Sequence, residues 1–264
     1  RVRQPGRGSD DDARGSVSAE TMADAAAQVL WGSRFPRPKA TKPTTCSAMI
    51  RASGTAASPS GVAAGLSPGR ELIAEGQERG ILTVEQIAAP YPVVVAVNAS
   101  FFDKEGRAMG LAVDEGRVMA LSNRRNWGAL VIDGKQGRIM LGADIQDPLD
   151  HRLIVQGIPR LLVGGKVQQL KSQVAERTAA CAEGNVVVLV VSTKAEATAF
   201  ARFLADPPDR GGLGCSDALN LDGGPSTQLV VKLPALALSL PGGWGVPNAL
   251  VVAPGKGAGT RNRE

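Results

Sequence analysis

Short apolar runs separated by turns constrain the fold of this chain most strongly. Each run holds a few β-branched or aliphatic residues, a length typical of strands rather than helices. Acidic residues followed by glycine separate several of them, at Asp103–Gly106, Asp114–Gly116 and Asp133–Gly134, and such sequences are typical of hairpin turns. We therefore predict strands over residues 92–98, 110–113, 117–121, 128–133, 137–141, 185–191, 217–222, 226–231 and 248–252.

A few helices are predicted beside these strands. Thr83 with Gln86, and Thr193 with Glu196, have the spacing of capping boxes, so each threonine is predicted to begin a helix. A helical period also follows Ser18 and includes Val29 and Leu30.

The domain organisation follows from these patterns. The fold class is predicted as α+β, a single domain with a mixed, largely antiparallel β-sheet flanked by a few helices. This domain covers residues 44–254, and within it the small, breaker-rich residues 52–68 are predicted as a loop. Residues 1–43 are predicted to be a partly disordered N-terminal extension with one helix, and residues 255–264 a flexible tail.

The positive charge of the chain lies at its ends. Its formal net charge is +5, but residues 1–51 carry nine Lys and Arg against five Asp and Glu, and residues 255–264 carry three against one. Residues 52–254 therefore sum to −1, without a basic stripe interleaved with aromatic residues. This distribution argues against a nucleic-acid partner. No apolar run reaches the roughly 18 residues that a membrane span needs, so none is predicted.

The cysteine and histidine content excludes several kinds of site. Cys46, Cys181 and Cys215 lack C-x-x-C spacing and accompany a single histidine, which argues against a zinc cluster. In an exported protein two of them could be joined, with Cys181–Cys215 as the candidate pair; three free thiols are the alternative. His151 is predicted to be a surface residue, and no nucleophile-elbow, H-E-x-x-H, P-loop or G-x-G-x-x-G motif is present.

Two polar segments stand at predicted strand ends, where functional groups are often displayed. In the first, Asn98 follows an apolar run, and its amide could bind a sugar hydroxyl or a phosphate oxygen; a turn anchored by Phe101 and Phe102 is the alternative. In the second, Arg177 precedes Thr178, a combination that suits a phosphate because the guanidinium fork matches two oxygens. A surface ion pair between Glu176 and Arg177 is the alternative.

A third polar segment, residues 220–227, carries a carboxylate into two glycines. Asp222 ends a predicted strand, and Gly223 and Gly224 allow positive φ and close approach to bare backbone. Ser226 and Thr227 would add donors to an anion-binding turn. An ordinary hairpin with an Asp-Gly turn is the alternative.

These segments resemble the phosphodiester glycosidase family, whose motifs occur here in the same order over about residues 82–254. The family shows N-G-G-F-F, G-L-x-V, P-x-L-V-x-x-G-K, R-T-A, L-G-C-x-x-A-L-N-L-D-G-G-x-S and V-P-N. The corresponding segments are Asn98–Phe102, Gly110–Val113, Pro159–Lys166, Arg177–Ala179, Leu213–Ser226 and Val246–Asn248. The chain departs from the pattern at Ala99 and Ser100, which replace two glycines, at Cys181 and at Pro225.

The resemblance implies a hydrolase that cleaves the glycosidic C–O bond of a sugar-1-phosphodiester similar to an N-acetylglucosamine-1-phosphodiester. Asp222 would be the nucleophile or general base, while Arg177, Thr178 and Ser226 would hold the phosphate. The remaining candidates are the residues that would orient or admit substrate, Asn98, Asn220, Asn248, Gly223 and Gly224, and the reserve carboxylates, Glu176 and Asp103.

The remaining expectations concern cofactors, partners and location. No cofactor is required, although an oxygen-rich cluster around Asp222 would suit Ca²⁺ or Mg²⁺. The partner is expected to be a small or polymeric sugar-phosphate substrate, met outside the cell or in the cell envelope. Two other functions remain open: a metal-dependent phosphodiesterase that cleaves P–O, and a non-catalytic protein that binds envelope polysaccharide.

Overall fold

The computed structural model describes residues 27–32, 47–53, 62–68, 81–90, 95–122, 124–133, 136–183, 186–233 and 236–254, and for the first three of these ranges only the backbone. Its described strands form three sheets and are numbered in chain order. The first sheet has the order β1 (Ala27–Gly32), β2 (Ser47–Ser53), β13 (Val186–Glu196), β12 (Val174–Glu183), β14 (Asp217–Asn220), β10 (Arg160–Val163) and β11 (Lys166–Val167).

The other two sheets have five strands each. The second has the order β16 (Leu236–Leu240), β15 (Leu229–Leu233), β4 (Val95–Asn98), β17 (Asn248–Pro254) and β3 (Val62–Pro68). The third has the order β6 (Arg117–Leu121), β5 (Leu111–Asp114), β9 (Leu153–Gly157), β7 (Gly128–Asp133) and β8 (Gln136–Leu141). Every described strand pair is antiparallel, which confirms the largely antiparallel α+β class.

Two α-helices are described. Helix α1 (Val84–Ala88) begins with the predicted capping box of Thr83 and Gln86. Helix α2 (Ala197–Ala205) packs on the first sheet. Single 3₁₀ turns occur at Gly142–Asp144, Pro148–Asp150, Pro208–Arg210 and Gly224–Ser226. No helix in the described ranges is long and apolar enough to cross a bilayer.

The first sheet separates two parts of the core. Ala180 and Leu219 face a core to which all three sheets contribute, whereas Ala179 and Ala218 pack against α2. This division follows from the alternation of side chains along each strand, and it decides on which side of the sheet each polar residue lies.

A disulfide joins Cys181 of β12 to Cys215, with the two Cα atoms 5.9 Å apart, and this confirms the candidate pair. The bond fastens β12 to the loop before β14 on the α2 side of the sheet. Cys46 lies outside the described residues.

Removing this disulfide is expected to lower the free energy of unfolding substantially. The bond spans 34 residues of sequence, for which loop-closure entropy gives about 3–4 kcal/mol. Urea denaturation of the double variant Cys181→Ala/Cys215→Ala should reveal this loss. Reductant should destabilise the wild type similarly and leave the double variant unchanged; a reductant effect of equal size on both proteins would contradict the assignment.

Four local predictions differ from the structure. Residues 27–32, predicted as part of a helix, form β1 because pairing with β2 overrides the local helical pattern; residues 18–26 lie outside the described ranges. Much of the predicted loop at 52–68 is strand, because Val62–Pro68 pairs with β17. The N-cap of α2 is Glu196, whose carboxylate accepts from the amide of Ala199, and not Thr193, because β13 continues to Glu196.

The fourth difference concerns His151, which is not a surface residue. Its side chain is only 15% exposed, and Nδ1 lies 2.9 Å from Oδ2 of Asp133. Arg138 donates to the same carboxylate oxygen at 2.7 Å. The histidine therefore helps to hold the end of the β7–β8 hairpin against the start of β9.

Candidate active site

The buried side chain of Asn98 joins the ends of strands from two sheets. Its Oδ1 accepts hydrogen bonds from the Thr178 hydroxyl at 2.7 Å and from the backbone amide of Gln228 at 3.1 Å. Its Nδ2 donates to the backbone carbonyl of Asp222 at 2.6 Å. The Asp222 amide in turn donates to the carbonyl of Ala99 at 3.1 Å. Asn98 is completely buried, and its side-chain amide is hydrogen-bonded to Thr178, Gln228 and the loop that carries Asp222. The contact with a sugar hydroxyl or a phosphate oxygen, expected from the sequence, stays a prediction.

The carboxylate of Asp222 lies at the surface end of this network and is half-buried. The Gly223 amide donates to its Oδ1 at 2.9 Å. Burial raises the pKa of Asp222, while hydrogen bonding from the Ser226 hydroxyl and the Gly223 amide acts in the opposite direction. A partly desolvated carboxyl group that still reaches solvent is well suited to react with a bound substrate.

The two glycines after Asp222 serve different purposes. A Cβ added to Gly223 would lie 2.8 Å from the carbonyl oxygen of Glu176 and 3.8 Å from Cα of Arg177, so glycine lets this turn pack directly on β12. Gly224 has a φ of 61° and open space around its Cβ position, which suits close approach by a ligand. The sequence predicted close approach at both positions, but at Gly223 the neighbour is the chain's own backbone.

Arg177 lies beside the Asp222 turn, and its guanidinium contacts backbone carbonyls. Nε donates to Ala195 at 3.2 Å, and Nη2 donates to Gln173 at 2.5 Å. Burial lowers the pKa of Arg177, and the negative charge of Glu196, not that of Asp222, opposes this shift. The turn thus meets the Arg177 backbone, while no ion pair joins the two side chains within the described structure. The guanidinium has five N–H donors, of which these two contacts use two.

Two buried polar atoms, on β13 and β14, lie on the same side of the first sheet as Arg177. Ser192 pairs directly with Arg177, and Asn220 pairs with Ala179, two residues further along that face. Ser192 Oγ and Asn220 Oδ1 have no hydrogen-bond partner among the described residues, although Asn220 Nδ2 donates to the carbonyls of Ile158 and Leu221. Buried polar atoms of this kind are where a polar ligand gains most.

Asn248 also positions backbone. Its Oδ1 accepts from the Ser100 amide at 3.0 Å, and its Nδ2 donates to the Ser100 hydroxyl at 3.1 Å. With only 2% of its surface exposed, it fixes the loop after β4, and its role in orienting substrate stays a prediction.

The two reserve carboxylates, Asp103 and Glu176, make different contacts. Asp103 accepts from the side chain and amide of Arg107 and from the amide of Glu105, closing a local turn. The Arg107 amide, foremost among these contacts, lowers the pKa of Asp103, which suits a permanently ionised turn residue. Glu176 is half-buried and packs on Gly223 through its backbone carbonyl.

Comparison with known proteins decides the family. A family model described as phosphodiester glycosidase matches residues 91–253, which is more than half of the chain. The chain belongs to the phosphodiester glycosidase family. No curated protein sequence matches it.

Solved structures share the fold of this phosphodiester glycosidase domain at low sequence identity. The catalytic domain of zebrafish N-acetylglucosamine-1-phosphodiester α-N-acetylglucosaminidase, auto-inhibited by its pro-peptide, is 17% identical with a TM-score of 0.62; the match covers 86% of this chain and 82% of that one. A candidate exported protein of Burkholderia pseudomallei K96243 is 15% identical with a TM-score of 0.56, covering 81% and 75%. A hypothetical protein of Synechocystis is 16% identical with a TM-score of 0.53, covering 85% of this chain and 62% of that one.

Sequence reasoning missed one residue at the site of this phosphodiester glycosidase domain. Gln228 is 1% exposed; its Oε1 accepts from the Val84 amide at 2.9 Å, and its Nε2 donates to the Trp244 carbonyl at 2.8 Å. It thereby ties the Asp222 loop to α1 and to the segment before β17. The sequence feature that could have identified it is a glutamine at the start of an apolar strand, because a buried side-chain amide needs hydrogen-bond partners.

The described residues contain no group of three or more His, Cys, Asp or Glu side chains arranged to hold a metal ion. A cation at Asp222 would therefore need ligands of other kinds, such as backbone carbonyls, side-chain amides or substrate oxygens.

Proposed function

We propose that this chain hydrolyses the glycosidic C–O bond of a sugar-1-phosphodiester and releases free sugar and a phosphate monoester. The observation that carries the proposal is the half-buried Asp222 carboxyl group, with its raised pKa, on a turn that packs against the backbone of Arg177. The family supplies the reaction class, and the residues around Asp222 suit it chemically.

The leaving group explains why one reactive carboxylate can suffice. Ordinary glycosidases use a second carboxyl group to protonate a poor sugar-alkoxide leaving group. A phosphate monoester leaves as an anion whose remaining pKa is about 6, so it needs little protonation. In the net reaction the bond from the anomeric carbon to the phosphate oxygen breaks, its electrons stay on that oxygen, and an oxygen from water bonds to the carbon.

Asp222 would act at the anomeric carbon, either as the nucleophile or as the base that takes a proton from water. Arg177 and Ser226 would stabilise the charge that develops on the phosphate. Thr178 donates its hydroxyl to Asn98, so its proposed contribution is to fix the Asp222 loop. Asn220, with an unpartnered buried oxygen, would accept a hydrogen bond from a substrate hydroxyl after modest rearrangement.

The proposed substrate class and location rest on the relatives and on the disulfide. The zebrafish relative is named for an N-acetylglucosamine-1-phosphodiester, so an α-N-acetylglucosaminyl phosphodiester is the first substrate to test. Secretion or placement in the cell envelope agrees with the Cys181–Cys215 disulfide, because such bonds persist in oxidising compartments. A structural relative described as a candidate exported protein agrees with the same location.

Replacing Arg177 by Lys is expected to weaken phosphodiester binding by about tenfold, because lysine cannot supply the planar fork of N–H donors. Calorimetric titration with methyl-phospho-N-acetylglucosamine would measure this loss, with Arg177→Lys introduced into Asp222→Asn protein so that the ligand is not hydrolysed. The affinity for free N-acetylglucosamine should change much less. Arg202→Lys, at an exposed position on α2, is the matched control. An equal loss of affinity for the phosphodiester and for the free sugar would show that Arg177 does not bind the phosphate.

Two rival functions predict different outcomes. A phosphodiesterase would yield a sugar phosphate in place of free sugar. A polysaccharide-binding protein would bind glycosyl phosphodiesters without turnover, even in wild-type protein.

A further inference from the structure

The turn at residues 124–127 is held by a buried amide. Gln156 on β9 is completely buried; its Oε1 accepts from the Arg124 amide at 2.9 Å, and its Nε2 donates to the Arg124 carbonyl at 3.0 Å. The same Oε1 accepts from the Leu111 amide at 2.8 Å. A buried side chain therefore fixes the backbone of a surface arginine from both sides.

Aromatic packing and further hydrogen bonds fix the rest of the turn. The rings of Trp127 and Phe101 meet edge to face with centroids 5.7 Å apart, and the guanidinium carbon of Arg124 lies 5.9 Å from the Trp127 centroid. The carbonyl of Trp127 accepts from Gly142 at 2.7 Å, and that of Arg125 accepts from Ala143 at 2.8 Å. The turn is therefore organised before any ligand binds.

Two adjacent positive charges project from this organised turn. Arg124 and Arg125 are both exposed, and neither forms a salt bridge with a described carboxylate. Arg107 and Arg138, by contrast, bind carboxylates of their own hairpins at 2.8 Å and 2.7 Å. Neighbouring like charges on a fixed backbone repel each other, and a bound anion would relieve that repulsion.

The turn is connected to the candidate active site through intermediate contacts. Phe101 packs against Trp127 and lies two residues after Ala99, whose carbonyl accepts a hydrogen bond from the Asp222 amide. Gly128, directly after the turn, packs on β14: a Cβ there would lie 2.5 Å from Cδ1 of Leu219, three residues before Asp222. The segment 99–101 and strand β14 therefore connect the turn to the Asp222 loop.

We propose that the Arg124–Arg125 turn is a second phosphate-binding subsite, which holds a neighbouring phosphodiester of a polymeric glycosyl-phosphate substrate. This inference rests on the proposed function, because it takes the scissile phosphodiester to lie at Asp222. A second subsite would make a polymer with repeating phosphodiester linkages a better substrate than a molecule with a single linkage. Arginine suits this role because its planar donors match phosphate oxygens and its face stacks on Trp127.

Binding of inorganic triphosphate tests the subsite without hydrolysis. Titration of the full chain by calorimetry should show binding that Arg124→Ala/Arg125→Ala weakens at least about tenfold, as expected for the loss of charge-assisted contacts. Arg202→Ala, which removes an exposed charge from α2, should bind as the wild type does. Absent binding, or equal binding by the double variant, would overturn the proposal.

A second titration separates a polymeric ligand from a free phosphate. In the Asp222→Asn protein, a synthetic ligand with two successive glycosyl phosphodiesters should bind about tenfold more tightly than a ligand with one, and the double substitution should abolish that difference. Equal affinity for both ligands would overturn the polymeric assignment. If triphosphate binding needs the two arginines but wild-type protein cleaves no phosphodiester, the subsite stands and the proposed hydrolase function fails.

Discussion

Asp222→Asn is expected to lower the rate of sugar release by about 10³-fold or more, because asparagine can neither attack the anomeric carbon nor take a proton from water. The fold should persist, since the residue's backbone amide and carbonyl make the contacts that fix the loop, to Ala99 and Asn98. Steady-state assays of free sugar would measure the rate, and scanning calorimetry the stability. An active Asp222→Asn enzyme would remove this residue from the chemistry.

The pH dependence of stability gives an independent check on Asp222. Its pKa is raised above 3.8 in the folded protein, so its contribution to stability is fully present below pH 3.8 and is lost as the pH rises through the folded pKa. The Tm of Asp222→Asn relative to wild type should therefore increase from acid to neutral pH. A difference that stays constant over this range would show that burial does not perturb the carboxyl group.

Asn98→Leu is expected to lower the free energy of unfolding by about 3–5 kcal/mol, because it leaves two buried groups and one part-buried group without partners. These are the Thr178 hydroxyl, the Gln228 amide and the Asp222 carbonyl. Activity should fall as well, even at temperatures where the variant remains folded, because the Asp222 loop loses its anchor. Chemical denaturation combined with assays well below the transition would measure both effects.

The matched control for this substitution is Gln146→Leu, which removes an amide from an exposed loop. It should change stability by no more than about 0.5 kcal/mol. Similar losses for the two variants would show that the buried network contributes little, and full activity in a destabilised Asn98→Leu protein would separate the network from the site.

A strand with a long β-branched run could be predicted from the sequence, whereas its alanine-rich neighbour could not. The run at 185–191 identified β13, because its consecutive valines fit a buried strand. Its partner β12, Val174–Glu183, contains mostly alanine and polar residues and gave no such pattern. Ala179 and Ala180 are small because they pack on opposite faces, against α2 and the central core, and only the assembled sheets reveal that requirement.

The segments of the candidate site could be predicted, but the roles of several residues could not. The end of an apolar strand marked Asn98, yet its partners lie 80, 124 and 130 residues away in sequence. No local sequence pattern shows that its side-chain amide is hydrogen-bonded to the chain's own groups. Gln156 and Gln228 were missed for the same reason, because a buried amide is defined by its distant backbone partners.

The direction of the Arg177 side chain could not be predicted from its motif. The sequence assigned Arg177 to the phosphate of a substrate that reacts at Asp222, and the structure does bring the two backbones together at Gly223. The guanidinium itself is turned toward the carbonyls of Gln173 and Ala195. Strand alternation explains part of this result, since Thr178 faces Asn98 and its neighbour must face the other way.

The most direct test of the proposed chemistry is hydrolysis of methyl-phospho-N-acetylglucosamine in water enriched in ¹⁸O, with the phosphate product analysed by mass spectrometry. Glycosidic C–O cleavage at Asp222 predicts unlabelled methyl phosphate, because the oxygen from water enters the sugar. A labelled phosphate product would place the cleavage at P–O and would contradict the account.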